Sequence, residues 1–511
     1  MIAKYTSRIT TVAIKNDFHI MVNYSSGHCF GIAPKFPFIL FQDRKVSPNR
    51  SQSYKKLLHL HTMNQTNSPK SSFVLAATSS GCGKTTCTIG LLRGLRQKGY
   101  TVQPFKCGPD YIDTQHHAIA AGTPSINLDT FFSSPGHLVD CYQQIPSDNH
   151  TIQIIEGAMG LFDGYKRWKG SAADVAMTLD VPVILIVDAQ SVAYSVAPLL
   201  YGYAHFNPQV RVAGVIFNKV ASENHYNYLV DAASDAGVPC LGYIARSQSI
   251  AMPSRHLGLT LDDEFMLDEY ANKAANLVMD HLDIDKLLAV TAAHPKTYPT
   301  RKPHLESQPN HTDPIRIAVA HDKAFNFIYP VNIQQLEKLG QITYFSPITD
   351  KVLPPCDLLY LPGGYPEFYL SELSTNNTML TSIKAHAESG GKIWAECGGM
   401  MYLCTSIIDQ DGRHYPMVNI FPQQATMQDM KLRLGYRQFT CNNQNWRGHE
   451  FHYSRLINQD NMDSFTCITH QETATSRKVN APIFRYKQVL ASYTHLYWGE
   501  QNLLSLFQDL C

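Results

Sequence analysis

The chain has 511 residues, which predicts more than one domain because a single hydrophobic core rarely grows beyond ~250–300 residues. With 44% apolar residues, 17% charged residues and a formal net charge of +1, it lacks the basic surplus of nucleic-acid-binding and membrane-surface proteins. No apolar run approaches the ~18–20 residues that span a bilayer, and the twelve cysteines show no paired metal-ligand spacing, so a reducing, cytoplasmic setting is expected.

Residues 1–70 differ from the rest of the chain. Positions 1–62 hold nine Lys or Arg but only two acidic residues, with many hydroxyl side chains and no sustained periodicity. Such an acid-poor segment is typical of an organelle transit peptide. We favour the alternative that translation starts at Met63, which would make residues 1–70 an unstructured extension or a mis-assigned start.

A phosphate-binding loop is predicted at residues 78–86. The apolar run from Phe73 to Ala77 predicts a buried strand, and an apolar-periodic stretch ending near Gly99 predicts a helix after the loop. Backbone N–H groups at such a helix start converge on phosphate oxygens. Gly usually stands where Thr78 stands here, yet the strand, loop and helix still indicate an ATP site. Its expected ligands are Gly81, Gly83, Lys84 for the terminal phosphates, Thr85 for Mg²⁺, and Thr86.

Acidic residues follow the next predicted strands. Asp110 and Asp113 come just after a strand over 102–106, where open α/β sheets bind ligands. The strand Thr151–Glu156 ends in an acid and is followed by Asp163. A carboxylate at the end of a buried strand is costly without a partner, so Glu156 is predicted to bind the metal or its water.

The alternation of predicted strands and helices continues to residue 290. Near-continuous apolar runs at 181–188 and 212–219, and a further strand at 240–244, predict a doubly wound, mostly parallel sheet over residues 71–290. Asn218 ends one of these strands, and its interpretations as an adenine contact and as a simple turn residue stay equally open. The Pro- and His-rich residues 291–313 are predicted to form a linker.

A second α/β domain is predicted over residues 314–511. Gly363 and Gly364 follow a strand and can turn backbone N–H groups toward an oxyanion. Cys397 stands between the strand 392–396 and an apolar helix, the elbow geometry of nucleophiles. The helix start predicts a lowered thiol pKa. His495, at the end of a strand near the C-terminus, is the favoured base, with His449 and His452 as rivals.

Taken together, the motifs resemble one known family. They are, in chain order, SSGCGKTT (79–86), PFKCGPDYID (104–113), EGAMGLFDG (156–164), GVIFNKV (214–220), GGYPE (363–367), AECGGMMYL (395–403), GHEFHYS (448–454) and SYTHLYW (492–498). The chain thereby resembles the cobyrinic acid a,c-diamide synthase family, in which a dethiobiotin-synthetase-like P-loop domain is fused to a class I glutamine amidotransferase-like domain. The resemblance does not extend over residues 1–70.

The resemblance implies a ligase with two sites. Cys397 would attack the amide of L-glutamine, His495 would relay protons, and Gly363 and Gly364 would hold the oxyanion. Released ammonia would pass inside the protein to the P-loop domain, where ATP and Mg²⁺ phosphorylate the a and c carboxylates of cobyrinate or hydrogenobyrinate. The acids at positions 110, 113, 156 and 163 match the family's motifs for metal and acyl-phosphate handling, with position 110 also a predicted metal ligand. Tyr111 and Ile112 match positions that choose the carboxylates.

Some questions stay open at this point. Related amidotransferases place Glu two residues after the His, where this chain has Tyr497, so the group that orients His495 is unknown. The rival functions are a cobyric acid synthase, which amidates other carboxylates of the ring, and a MinD-like ATPase switch, which would have no use for Cys397. The ring metal (cobalt, nickel or none) and the oligomeric state, with a homodimer as one option, are also open.

Overall fold

The computed structural model describes residues 70–144, 148–247, 264–292, 314–457 and 465–508. The predicted extension therefore lies outside the described residues except for its last position, as does nearly all of the predicted linker. No helix in the described ranges is both long and apolar enough to cross a membrane.

The first domain alternates strands with helices, as its sequence predicts. Its elements are β1 (Ser71–Ala77), α1 (Lys84–Gln97), β2 (Thr101–Cys107), α2 (Ile112–Ala121), β3 (Ile126–Leu128), α3 (Pro135–Gln143), β4 (Thr151–Glu156), α4 (Ala172–Leu179), β5 (Val183–Asp188), α5 (Val196–His205), β6 (Val212–Val220), α6 (Glu223–Asp235), β7 (Cys240–Ala245), α7 (Glu264–Met279) and α8 (Ile284–Val290).

These strands form one parallel sheet in the order β3-β2-β4-β1-β5-β6-β7. The near-continuous apolar strands are buried because helices cover both faces. Strand β4 lies between β1 and β2, so the phosphate loop after β1 and the acids at the ends of β2 and β4 meet at the same end of the sheet. The prediction of a doubly wound parallel sheet is confirmed.

The second domain has more strands than its sequence suggested. Its elements are β8 (Ile315–Ala320), α9 (Pro330–Leu339), β9 (Gly340–Phe345), β10 (Leu358–Leu361), α10 (Leu370–Thr375), α11 (Asn377–Glu388), β11 (Lys392–Glu396), α12 (Gly398–Leu403), β12 (Cys404–Ile408), β13 (His414–Pro416), β14 (Phe421–Thr426), β15 (Arg433–Cys441), β16 (Gln444–His452), β17 (Arg455–Ile457), β18 (Thr466–Ile468), β19 (Gln471–Glu472), β20 (Lys478–Val479), β21 (Ile483–Tyr486), β22 (Val489–Ser492) and β23 (Thr494–Tyr497), with short 3₁₀ turns at Pro366–Phe368 and Leu503–Phe507.

The strands of this domain form three sheets. The main sheet has the order β18-β21-β22-β11-β10-β8-β9 and is parallel except at β18 and β21. Two smaller sheets have the orders β13-β12-β14-β17 and β20-β19-β15-β16-β23. The segment predicted as one strand ending at Thr494 is two strands, because the chain leaves the main sheet after β22 and enters the five-stranded sheet at β23. His495 consequently lies within β23, opposite His449 of β16.

The two domains pack through an aromatic interface. Phe327, Tyr329 and Tyr497 of the second domain belong to the apolar cluster that covers one face of the first sheet. The Tyr436 hydroxyl donates a hydrogen bond of 2.7 Å to the carboxylate of Asp129 in the first domain. Further links between the domains are Arg447 to the Phe131 carbonyl, Ser134 to Glu500, and His137 to Tyr497. One hydrophobic cluster thus contains residues of both domains, and polar contacts surround it.

Candidate active sites

The phosphate loop is shaped by two glycines with left-handed backbone. Gly81 has φ 81° and Gly83 has φ 91°, values that L side chains rarely adopt. The Asn218 side chain packs against Gly83 and donates a hydrogen bond of 2.8 Å to the Cys82 carbonyl. In this structure Asn218 therefore supports the loop, and its predicted contact with adenine stays a prediction.

Lys84, Thr85 and Thr86 begin helix α1 directly after this loop. The Lys84 ammonium donates to the carbonyls of Met159, at 2.5 Å, and Ser79, at 3.3 Å. Burial lowers the pKa of Lys84. The Thr86 hydroxyl instead faces Tyr270 of helix α7, 3.0 Å away. Of these three side chains, Lys84 and Thr85 extend toward the acidic motifs.

Glu156 is the centre of a buried charged network. The Thr85 hydroxyl donates to its Oε1 at 2.8 Å, and the Lys106 ammonium lies 3.0 Å from the same oxygen. Lys106 also contacts Asp113 at 2.6 Å, and His117 Nε2 lies 2.6 Å from Glu156 Oε2. Burial alone would raise the pKa of Glu156, but Lys106 and His117 hold it well below its ordinary value. The carboxylate is thus kept ionised beside the phosphate loop.

Lys106 and His117 were not predicted as site residues. Lys106 is the penultimate residue of β2, the strand that precedes Asp110. A lysine inside a predicted buried strand requires an acidic partner, and this requirement was a usable signal. Burial opposes its charge, yet Asp113 and Glu156 raise its pKa. His117 is one of 22 histidines and carries no distinguishing motif.

The other predicted acids order the loops around this network. Asp110 Oδ1 accepts hydrogen bonds from the backbone N–H groups of Ile112 and Asp113 and so begins helix α2. Asp163 Oδ2 accepts from the Gly160 N–H at 2.9 Å. Binding of metal by Asp110 and acyl-phosphate handling by Asp163 stay predictions.

Tyr111 reaches from the first domain into the second. Its ring stacks on Phe327 at a centroid distance of 5.0 Å and lies 5.2 Å from the His495 ring. Only 7% of its surface is exposed. The loop that carries Asp110 therefore touches the site that contains the predicted base, and the predicted role of Tyr111 in choosing carboxylates stays open.

Cys397 occupies a strained elbow between β11 and α12. Its backbone has φ 47° and ψ −106°, and its N–H donates to the Ser492 carbonyl at 2.7 Å. Such strain at a functional turn persists only when the surroundings enforce it. The sharp turn predicted from the sequence is confirmed.

The expected lowering of the Cys397 pKa is wrong for this structure. Burial, followed by the nearby Glu367, raises the pKa of the thiol. Helix α12 spans only six residues, and its start does not compensate for the loss of water. Burial also raises the pKa of Glu367 to about 7 and lowers the pKa of His495 to about 3. Before a substrate binds, the apolar site therefore favours the uncharged forms of Cys397, Glu367 and His495.

His495 packs against the predicted oxyanion loop. A Cβ added at Gly363 would lie 2.1 Å from Cε1 of His495, and one added at Gly364 would lie 2.0 Å from the Ala324 carbonyl oxygen. A Cβ at Gly398, the neighbour of Cys397, would lie 3.2 Å from the Gly364 nitrogen. The two glycines thus connect the Cys397 elbow with His495.

The rival histidines have different surroundings. His452 has both ring nitrogens engaged, Nδ1 with the Ser454 carbonyl at 2.8 Å and Nε2 with Glu450 at 2.9 Å, so neither is available as a base. His449 lies opposite His495 on the neighbouring strand, and burial lowers its pKa to about 3. The geometry favours His495, because it is the histidine that contacts the Gly363 loop.

Comparisons with known proteins match both halves of the chain. Residues 73–259 match the CobQ/CobB/MinD/ParA nucleotide binding domain, and residues 316–503 match the CobB/CobQ-like glutamine amidotransferase domain. The chain is 40% identical to the cobyrinate a,c-diamide synthase of Salmonella typhimurium, with 75% of this chain and 86% of the relative covered. It is 36% identical to the synthase of that name from Dehalococcoides mccartyi, with 86% and 98% covered. It is 35% identical to the hydrogenobyrinate a,c-diamide synthase of Brucella suis, with 83% and 98% covered.

Proposed function

The chain belongs to the cobyrinate a,c-diamide synthase family, and on that premise we propose that it amidates the a and c carboxylates of cobyrinate or hydrogenobyrinate. ATP activates each carboxylate, and L-glutamine supplies the nitrogen. The observation that carries this proposal is the contact between Tyr111 and His495, which joins the phosphate-loop domain to the amidotransferase site.

The first domain makes the carboxylate reactive. A carboxylate is a poor electrophile because its leaving group would be oxide, and transfer of the terminal phosphate of ATP creates an acyl phosphate with a viable leaving group. Lys84, held over the loop by the Met159 carbonyl, neutralises charge on the transferred phosphate. Lys106, buried between Asp113 and Glu156, holds these two carboxylates beside the phosphate loop.

Thr85 and Glu156 fit a magnesium site. Mg²⁺ usually takes one or two protein oxygens and completes its shell with phosphate oxygens and water, and these two side chains present oxygens 2.8 Å apart beside the loop. When bound, Mg²⁺ screens the charge of the phosphates during transfer. Glu156 and the Thr85 hydroxyl would hold it, and Lys106 and His117 keep the Glu156 carboxylate oriented.

The second domain releases ammonia from glutamine. Cys397 attacks the side-chain amide after His495 takes the thiol proton, and the backbone at Gly363 and Gly364 stabilises the oxyanion. His495 then returns the proton to the leaving ammonia, and water hydrolyses the thioester to glutamate. The ring of Tyr111, from the loop that carries Asp110, lies 5.2 Å from the ring of His495, and this closeness of the two domains supports transfer of ammonia to the acyl phosphate inside the protein.

The closeness of Gly363 to the imidazole gives a direct prediction. Gly363→Ala puts a Cβ 2.1 Å from Cε1 of His495, so the ring must move. A displacement of about 1 Å at a catalytic group costs roughly 10²-fold in rate. We expect glutamine hydrolysis to fall by about that factor, while amidation driven by added ammonium is kept. Gly202→Ala is the control, because a Cβ there meets no atom within 4 Å. A Gly363→Ala protein that hydrolyses glutamine at the wild-type rate would contradict the placement of His495.

Product analysis tests the proposed function. The purified protein is incubated with ATP, Mg²⁺ and glutamine and, in turn, with cobyrinate, hydrogenobyrinate and a nickel sirohydrochlorin, and the products are identified by mass spectrometry. We expect a diamide from cobyrinate or hydrogenobyrinate. Amidation only at other carboxylates would indicate a cobyric acid synthase, and ATP hydrolysis without any amide would indicate an ATPase switch.

A further inference from the structure

Glu396 precedes the nucleophile in the chain, lies close to the base and has no role assigned so far. It ends strand β11 directly before Cys397, and only 1% of its surface is exposed. Its Oε1 accepts hydrogen bonds from Trp394 Nε1 at 2.7 Å and from the Leu496 N–H at 2.9 Å. Its Oε2 accepts from the Tyr360 hydroxyl at 2.9 Å. A side chain with three donors on it is held in one orientation.

The fixed Glu396 carboxylate lies close to the imidazole of His495. Its Nδ1 lies 4.0 Å from Glu396 Oε2, and neither ring nitrogen has a hydrogen-bond partner among the described residues. A fully buried imidazole without partners is costly, so the two nitrogens are kept for groups that act on them. Tyr497, two residues after His495, does not orient the imidazole, because its hydroxyl is hydrogen-bonded to His137 of the first domain at 2.9 Å.

We propose that Glu396 is the positioning residue of the amidotransferase site, accepting a hydrogen bond from His495 Nδ1–H so that Nε2 faces the Cys397 thiol. It then does for His495 what a third carboxylate does in Cys–His–acid sites, but from the strand of the nucleophile. This inference rests on the proposed function, in which glutamine is hydrolysed at Cys397.

The geometry needs only a small adjustment. Closing the gap from 4.0 Å to hydrogen-bond length takes a shift of about 1 Å, and catalytic hydrogen bonds are often long before substrate binds. When His495 takes the thiol proton, its positive charge lies beside Oε2 and favours the ionised carboxylate. Burial raises the pKa of Glu396 to about 8 while the imidazole is neutral, whereas a positive charge on His495 would lower that pKa, so the ionised carboxylate and the imidazolium stabilise each other.

Other titratable groups also face His495. They are Tyr111 from the first domain and His449 and His452 on β16. A positive charge on either histidine would oppose an imidazolium at His495, whereas Glu396 is the acidic group nearest its Nδ1. Removing the charge of Glu396 should therefore lower the pKa of His495 in the working enzyme.

The test measures glutamine hydrolysis against pH for the full chain. Glu396→Gln keeps the size and most hydrogen bonds but removes the charge, and we expect a loss of roughly 10⁴-fold in kcat, as for an orienting carboxylate in other sites. We also expect the acidic limb of the profile to move to lower pH. Glu396→Asp keeps the charge, and its acidic limb should stay at the wild-type position with a reduced kcat. Glu388→Gln, an exposed carboxylate on α11, is the matched control and should leave both unchanged.

The outcomes separate this inference from the proposed function. A Glu396→Gln protein with the wild-type rate and pH profile would overturn it, as would an Asp variant whose acidic limb moves with that of the Gln variant. Amidation driven by added ammonium, measured on the same samples, should persist in all variants and shows that the fold is intact. If the wild-type protein makes no amide even with ammonium, the proposed function fails, whereas the glutaminase profile of the variants still decides the role of Glu396.

Discussion

Replacing Cys397 with alanine should abolish amidation that depends on glutamine, with a loss of at least roughly 10⁴-fold, because removing the nucleophile of a covalent mechanism leaves only the background reaction. The elbow backbone, with φ 47° and ψ −106°, presents this side chain at the end of a buried strand. Amidation with added ammonium should continue at a rate close to that of the wild type, since the phosphate-loop site is untouched. The measurement is the release of glutamate and of amide from one reaction mixture.

A matched cysteine variant completes this experiment. Cys356→Ser changes a half-buried thiol of the same domain that lies away from the elbow, and it should leave both activities unchanged. Retention of glutamine-dependent amidation by the Cys397→Ala protein would remove the nucleophile from the mechanism and with it the role of His495.

Replacing Glu156 with glutamine should have the converse effect. The carboxylate joins Thr85, Lys106 and His117, so its loss takes away both the proposed magnesium ligand and the partner of a buried cation. We expect amidation to fall by about 10²–10³-fold with either nitrogen donor, a loss typical of one electrostatic contact to a transition state. Glutamine hydrolysis at Cys397 should persist. The Mg²⁺ concentration needed for half-maximal activity should rise.

Stability has to be followed in the same experiment. Breaking a buried ion pair costs about 3–5 kcal/mol, so a lower Tm is expected for Glu156→Gln. Glu269→Gln, a half-exposed carboxylate on α7, should change neither Tm nor activity. A folded Glu156→Gln protein with wild-type amidation and Mg²⁺ dependence would contradict the assignment of Glu156.

Much of the architecture could be predicted because it depends on residues that are close together in the sequence. Apolar runs marked the parallel strands, and the strands Thr151–Glu156, Ile315–Ala320 and Lys392–Glu396 have the predicted bounds. The phosphate loop and the Cys397 elbow could be predicted because each follows the end of a strand and contains glycines. A few neighbouring residues determine the backbone conformation of such turns. Glu156 was found because an acid ending a buried strand requires a partner.

The rest depends on contacts between distant parts of the chain. The hydrogen bond from Tyr436 to Asp129 joins residues 307 positions apart, and neither stands in a motif. The change of sheet at Tyr493 places His495 in β23, and no alternation marks it because every residue of both strands is buried. Lys106 and Glu396 were missed although each is a charged residue at the end of a buried strand. The same criterion had identified Glu156.

The thiol of Cys397 shows where a local argument fails. The start of a helix lowers a thiol pKa when water or a cation shares the site, but here the six-residue helix lies in an apolar interior and burial dominates. In the proposed mechanism the thiolate therefore forms only as the proton moves to His495.

Transfer of nitrogen from glutamine to the tetrapyrrole is the central claim, and isotope labelling measures it directly. The wild-type protein is given cobyrinate or hydrogenobyrinate, ATP, Mg²⁺ and glutamine labelled with ¹⁵N in the side-chain amide, in the presence of excess unlabelled ammonium. We predict a product with ¹⁵N in both the a and c carboxamides, because ammonia passes from Cys397 to the acyl phosphate inside the protein. A diamide that carries the unlabelled nitrogen of the solution, or a labelled glutamine pool consumed without any amide, would contradict the account.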